Sequence, residues 1–156
     1  MFLNIFFIGL LVWAAICAIL ISVADFRRRI IPDAYLFPLM LSGLLLIAFF
    51  NWPTTITDAA IGATFGYLMS AFVGFIFDWQ IRKKNPDTFP PIGLGDIKLI
   101  GVGGIWLGAN GLGLALVIAC VAGILWALIK RQKYIPFGPF FVIGGILALL
   151  ANTFLL

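Results

Sequence analysis

The chain has 156 residues, of which 63% are hydrophobic and only 10% charged, with a formal net charge of +4 and a mean hydropathy of +1.18. A water-soluble domain of this size must leave much of its surface wet and cannot hide so large an apolar fraction, so a soluble enzyme or binding module is excluded. Histidine is absent, which removes Ser–His and Cys–His catalysis and any histidine metal site.

Apolar runs near the length that crosses bilayer hydrocarbon, about 20 residues, recur from end to end. They predict an all-α, polytopic membrane helical bundle of about six transmembrane helices, forming a single domain over residues 1–156 with no soluble portion. The first span is expected over about Phe2–Ala24. It lacks a basic flank and a small-residue cleavage site, so it reads as a retained span rather than a removed signal peptide. The polar turn Asp25–Arg29 follows, and Ile30-Ile31-Pro32-Asp33 leads into a second span over about Ala34–Phe50. Asn51–Thr57 is a short turn. The third span is expected over about Asp58–Phe77, followed by a polar loop over Asp78–Pro91. A short, Gly-rich fourth span covers about Ile92–Leu107, and Gly108–Gly111 turns the chain. The fifth span covers about Leu112–Ile129, Lys130–Pro136 is a basic turn, and the sixth begins near Phe137.

Charge tests this layout. Lys and Arg favour the cytoplasmic side of short loops. The ten basic residues fall at Arg27–Arg29, Arg82–Lys84, Lys98, Lys130, Arg131 and Lys133. With six spans all of them reach one face, and the opposite turns, Asn51–Thr57 and Gly108–Gly111, hold none. Both termini are therefore expected outside the cytoplasm. Topology accounts for the positive charge, so no nucleic-acid partner is expected; membrane lipid is. Small residues at Gly62, Gly66, Ser70 and Gly74, and again at Gly104 and Gly108, repeat at the spacing that lets helices approach closely in lipid. Packing inside the bundle is the first reading of that stripe and self-association the second; the oligomeric state stays open.

Cys17 and Cys120 each sit inside an apolar run and read as small buried hydrophobes. Neither belongs to a CxxC pair, so no structural zinc is expected.

Ionisable groups at membrane depth are costly, and so they mark candidate functional positions. Asp58 reads as a helix N-cap and Asp33 as a cap on the second span. Asp78 and Asp87 border the basic loop, solvated or paired with it. Asp25 and Asp96 stand apart. Asp25 closes an apolar stretch, and Asp96 lies between Ile92-Gly93-Leu94-Gly95 and Ile97-Lys98-Leu99-Ile100. The topology puts both at the same edge of the bilayer. Two carboxylates that meet are sufficient for peptide hydrolysis: they share one proton, the ionised member takes a proton from water and the protonated one polarises the scissile carbonyl. Neither a covalent intermediate nor a cofactor or metal is required. Gly93 and Gly95 expose backbone beside Asp96 and permit an unwound segment where a substrate strand can approach. The alternative is that both acids only neutralise Arg27–Arg29 and Lys98.

Gly93-Leu94-Gly95-Asp96-Ile97-Lys98-Leu99 resembles the GxGDxKL signature of type IV prepilin peptidases, within the wider GxGD group of intramembrane aspartic proteases. Asp25 with Ile31-Pro32-Asp33 resembles that family's first catalytic segment. Ile135-Pro136-Phe137-Gly138-Pro139-Phe140 is similar to its IPFGP segment, and Gly104-Ile105-Trp106-Leu107-Gly108 to its GAWLG. The resemblance implies Asp25 and Asp96 as the catalytic pair, with Gly93, Gly95 and Lys98 supporting the motif or binding substrate. It implies an aspartic endopeptidase of the cytoplasmic (inner) membrane that cuts the basic leader from prepilin or pseudopilin substrates of type IV pilus and secretion systems. Larger members carry an N-terminal methylating domain, often with CxxC pairs, that this chain lacks, so a peptidase-only form is expected. The Asp25–Asp96 separation resembles a lengthened form of the common spacing, with the excess at Arg82–Pro91, read as a substrate-binding or gating element or a tolerated insertion.

Two rivals remain. A non-enzymatic transport or assembly protein would use the aspartates for ion coupling or packing, but internal repeats with broken helices in both halves are not evident. A lipid-linked phosphotransferase holding Mg²⁺ would want clustered carboxylates, and no DDxxD-like cluster is present.

Overall fold

The computed structural model describes residues 2–83, 92–131 and 135–155. Among these the chain is entirely helical: α1 (Phe2–Arg28), α2 (Asp33–Phe49), α3 (Ile56–Arg82), α4 (Leu94–Lys130) and α5 (Phe137–Leu155). Three of them, α1, α3 and α4, are long and apolar enough to cross a membrane; α2 and α5 are shorter apolar helices. Large apolar side chains such as Ile19, Phe37, Phe65, Phe75, Val117 and Leu128 face outward. An exterior of this kind is matched by lipid rather than water, and the chain is an integral membrane protein.

The fourth and fifth expected spans form one run, α4, broken at Gly108, where φ 66° and ψ −177° leave the helical region. Glycine packing gives the chain direction on each side of that break. On α3, Gly62 lies against Gly104 and Gly108, Gly66 against Ile100 and Leu112, and Gly74 against Ile92 and Ile97. The first half of α4 therefore runs antiparallel to α3. Gly103 meets Phe141 and Gly145 meets Leu107, so this half runs parallel to α5. Beyond Gly108 the order inverts: Gly111 lies against Asn152, Gly144 against Ala115, and Gly123 against Ile135 and Phe140. The backbone reverses at Gly108. The stripe predicted on α3 is a packing surface: Gly62, Gly66 and Gly74 are buried against α4. A methyl group on Gly62 would stand 2.7 Å from the Gly104 carbonyl oxygen.

The break at Gly108 frees carbonyls of the last turn before it, and the neighbouring turn takes one up. Trp106 O accepts from Trp52 Nε1 (3.1 Å) and from buried Thr54 Oγ1 (3.0 Å), while the Trp106 indole donates to Leu39 O (3.0 Å). The α2–α3 turn and the Gly108 turn thus lie together at one end of the bundle.

Several local expectations change. Thr55, not Asp58, caps α3: its hydroxyl accepts from Asp58 N at 3.1 Å, and Asp58 is the third helical residue. Asp33 does not cap α2, whose N-cap is Pro32 without a side-chain bond. α3 continues past Phe77 to Arg82, so Asp78 is helical and pairs with Arg82 one turn on at 2.8 Å. Gly95 is not unwound, since α4 already begins at Leu94. Cys17 is buried as expected, but Cys120 is exposed on the outer face of α4; both are free thiols. Asp87, Lys84 and Lys133 lie outside the described residues, as do positions 84–91 of the loop read as a gating element.

Candidate active site

The end of the bundle opposite the Trp52–Gly108 turns carries the acids singled out from the sequence. Asp25 lies in the last turn of α1, which ends as Arg29 takes a left-handed conformation (φ 55°) and its N–H donates to Asp25 O at 2.9 Å. That reversal directs the chain into Ile31-Pro32-Asp33 and α2. Asp25 is 5% exposed. A buried carboxylate needs partners, and it finds one on α5: Gly138 N donates to Asp25 Oδ2 at 2.8 Å. Gly138 is the second residue of that helix, where backbone N–H groups have no intrahelical acceptor and the helix dipole favours an anion. A methyl group at 138 would stand 3.2 Å from Asp25 Oδ2 and 3.3 Å from its Cβ, so glycine admits the carboxylate. Arg29 also lies near enough to act on Asp25 electrostatically.

Asp96 sits on the opening turn of α4. Gly93 is the extended N-cap (φ −70°, ψ 146°), and its carbonyl accepts from Asp96 N at 3.1 Å and Ile97 N at 3.3 Å. The Asp96 carboxylate turns back over Gly93, its Oδ2 standing 3.3 Å from where a Cβ on that residue would lie, as an acid at the third position of a helix does when it faces the cap. In that position it lies within electrostatic reach of Asp25. The two acids, distant in sequence, lie at the same end of the bundle within electrostatic reach of one another.

The motif's other residues have distinct contacts. Gly95 packs on the chain between α1 and α2: an added Cβ would stand 2.9 Å from Ile31 Cβ. Lys98 does not pair with Asp96. Two residues further along α4, it points elsewhere, and its Nζ contacts Asp33 Oδ2 at 2.7 Å and Oδ1 at 2.9 Å. The alternative in which Lys98 merely neutralises Asp96 therefore fails. Toward the bundle interior, an apolar cavity of about 220 Å³ lies between α1, α4 and α5, lined by Ala14, Ala18, Leu99, Gly103, Phe141 and Gly145 among others. Ala18 and Ala14 fall two and three turns before Asp25 on the same helix face, and the cavity runs on past them to Trp52 and Trp106 at the other end of the bundle. Among the described residues no group of three or more His, Cys, Asp or Glu is arranged to hold a metal ion.

The sequence reading did not assign Gly138 or Asp33 to the site. Both had a signal: a glycine between Phe137 and Pro139 opening a helix, and an acid directly after Ile31-Pro32.

The arrangement offers two carboxyl groups within electrostatic reach of one another at one end of a membrane bundle, Asp25 held by a backbone amide at the start of α5 and Asp96 folded back on the start of α4. A family model described as the type IV leader peptidase family matches residues 3–128. Proteins named prepilin leader peptidase/N-methyltransferase are similar: that of Pectobacterium carotovorum subsp. carotovorum is 30% identical over 94% of this chain and 54% of its own length. Those of Aeromonas hydrophila and Pseudomonas aeruginosa are each 32% identical over 90% of this chain and 48% of their own. The chain thus spans about half the length of the curated relatives it matches. No solved structure matches it significantly. On the match across most of its length, the chain belongs to the type IV leader peptidase family, a family of proteases.

Proposed function

We propose that this chain is the endopeptidase that removes the basic leader from prepilin-like substrates at the cytoplasmic face of the inner membrane, with Asp25 and Asp96 as the catalytic pair. The observation that carries the reading is the convergence of these two acids, from α1 and α4, at the same end of the bundle within electrostatic reach. The family supports prepilin or pseudopilin substrates. The eight Lys and Arg among the described residues support the membrane orientation. They lie at the end of α1, the end of α3 and the two ends of α4, hence on the Asp25 side, and the opposite turns carry none. With the reversal at Gly108 this favours six crossings with both termini non-cytoplasmic, and a single peptidase domain over 1–156.

In this mechanism the pair holds one proton. A water between the carboxyl groups gives a proton to the ionised member as its oxygen attacks the scissile carbonyl carbon. The protonated member donates to the carbonyl oxygen. Collapse of the tetrahedral species breaks the C–N bond: the amine leaves with the proton that the dyad took from water, a hydroxyl of the gem-diol returns its proton to the dyad as the new carboxyl forms, and the pair again holds one proton. The Gly138 amide holds Asp25 in place throughout. The pair titrates as a unit, so acid and base are not assigned to individual residues.

The test is cleavage of a purified prepilin in detergent or liposomes, with N-terminal sequencing of the product. Wild-type enzyme should cut at the leader junction. Asp25→Asn and Asp96→Asn should each insert normally and lose at least about 10³-fold in kcat, in the range of a lost general acid–base group. Cleavage retained in either variant would remove the dyad.

A further inference from the structure

α1 and α4, which carry the two candidate catalytic acids, are not a packed pair. α1 packs on α2 and α5, and α4 packs on α2, α3 and α5, with the apolar cavity between α1 and the first half of α4. The Asp25–Asp96 separation is therefore set by what bridges the two helices. One bridge is α5, whose Gly138 amide holds Asp25. The other is the chain between α1 and α2. It leaves α1 at the left-handed Arg29, places Ile31 against Gly95, and ends at Asp33, which grips Lys98 through both carboxylate oxygens.

We propose that Asp33 and Lys98 are positioning residues: their ion pair clasps the start of α2 to the start of α4 and so fixes Asp96 against Asp25. The inference rests on the function proposed above. The pair is half-exposed on both sides, and exposed pairs add little to stability, so its contribution is to register. Lys98 and Asp96 are two positions apart and point in different directions around α4. The clasp therefore acts on the opening turn of α4 without touching the reacting atoms. The same turn carries Gly95, whose missing side chain lets Ile31 approach. Van der Waals contact and ion pair together leave α4 little freedom to slide along the α1–α2 connection. Misplacing a catalytic group by about 1 Å costs on the order of 100-fold in rate.

The test uses full-length protein in liposomes. Asp33→Asn and Lys98→Met should each lower kcat about 10- to 100-fold, with KM and thermal midpoint near wild type. The exchanged pair, Asp33→Lys with Lys98→Asp, should recover most of the loss. A second readout needs no substrate: spin labels at Val23→Cys and Leu94→Cys, in a Cys17→Ala, Cys120→Ala background, should give one narrow distance. That distribution should broaden in Asp33→Asn and narrow again in the exchanged pair. Wild-type kcat in the single variants, a rise in KM alone, or an unchanged distance distribution would each overturn the clasp. Failure of wild-type protein to cut prepilins would instead remove the function proposed above, leaving the distance measurement to decide the clasp.

Discussion

The two ends of the bundle handle polar groups in opposite ways. At the Gly108 end, polar side chains are spent on backbone. Trp52 and Thr54 both donate to Trp106 O, the Trp106 indole donates to Leu39 O, and Thr55 caps α3. These bonds close a chain reversal in a place where an unpaired carbonyl would cost several kcal/mol, on the order of a lost bond in hydrocarbon. At the Asp25 end, two carboxylates lie within electrostatic reach of one another, one of them held by the Gly138 amide at a helix start and the other turned back over Gly93 at the start of α4. Charges placed together in this way are expensive for a membrane protein. The contrast separates a device that holds the fold from one that is held by it.

That separation can be broken experimentally, because changes at one end should move activity and changes at the other stability. The largest effect is expected at Gly138→Ala. The added methyl would press on Asp25, and kcat should fall about 10- to 100-fold with the thermal midpoint nearly unchanged; a fall in the midpoint with normal kcat would place Gly138 with the structural glycines. Next is Gly108→Ala. Its φ of 66° with ψ of −177° is a region essentially restricted to glycine, so the variant should lose about 1–3 kcal/mol in detergent unfolding. Its kcat per folded molecule should match wild type. The smallest change is Thr55→Ala, which removes the α3 cap and should cost about 1 kcal/mol, again without a change in kcat. Loss of kcat in either variant at the Gly108 end would mean that the two ends are coupled rather than separate.

Composition and spacing revealed the helical membrane class, the common side of Asp25 and Asp96 and the packing role of Gly62, Gly66 and Gly74, because each depends on local periodicity or on a single parity count. What stayed hidden depended on contacts between distant segments. Nothing near Lys98 in sequence distinguishes a partner at Asp96 from one at Asp33; only the angular offset along α4 decides it. The glycine between Phe137 and Pro139 signals a helix start, but the amide of Gly138 is a backbone donor, and nothing in the sequence says which acid it meets. Thr55 and Asp58 can both cap, and the third position of a helix suits an acid as well as the cap does, so sequence alone does not rank Thr55 above Asp58. In lipid an apolar run gives no hint of which face turns outward, so the burial expected of both cysteines holds for Cys17 on α1, which turns in, and not for Cys120 on α4, which turns out. The polar run after Phe77 suggests an end to α3, whereas the Asp78–Arg82 pair continues the helix.

The central claim is that the carboxyl groups of Asp25 and Asp96 meet at one end of the folded chain. Paired cysteines test it in native membranes: Asp25→Cys with Asp96→Cys, in a Cys17→Ala, Cys120→Ala background, treated with an oxidant or a short thiol-bridging reagent. The account predicts an efficient intramolecular link, and none between Asp25→Cys and Thr55→Cys. Free thiols that each react singly but do not link to one another would contradict it.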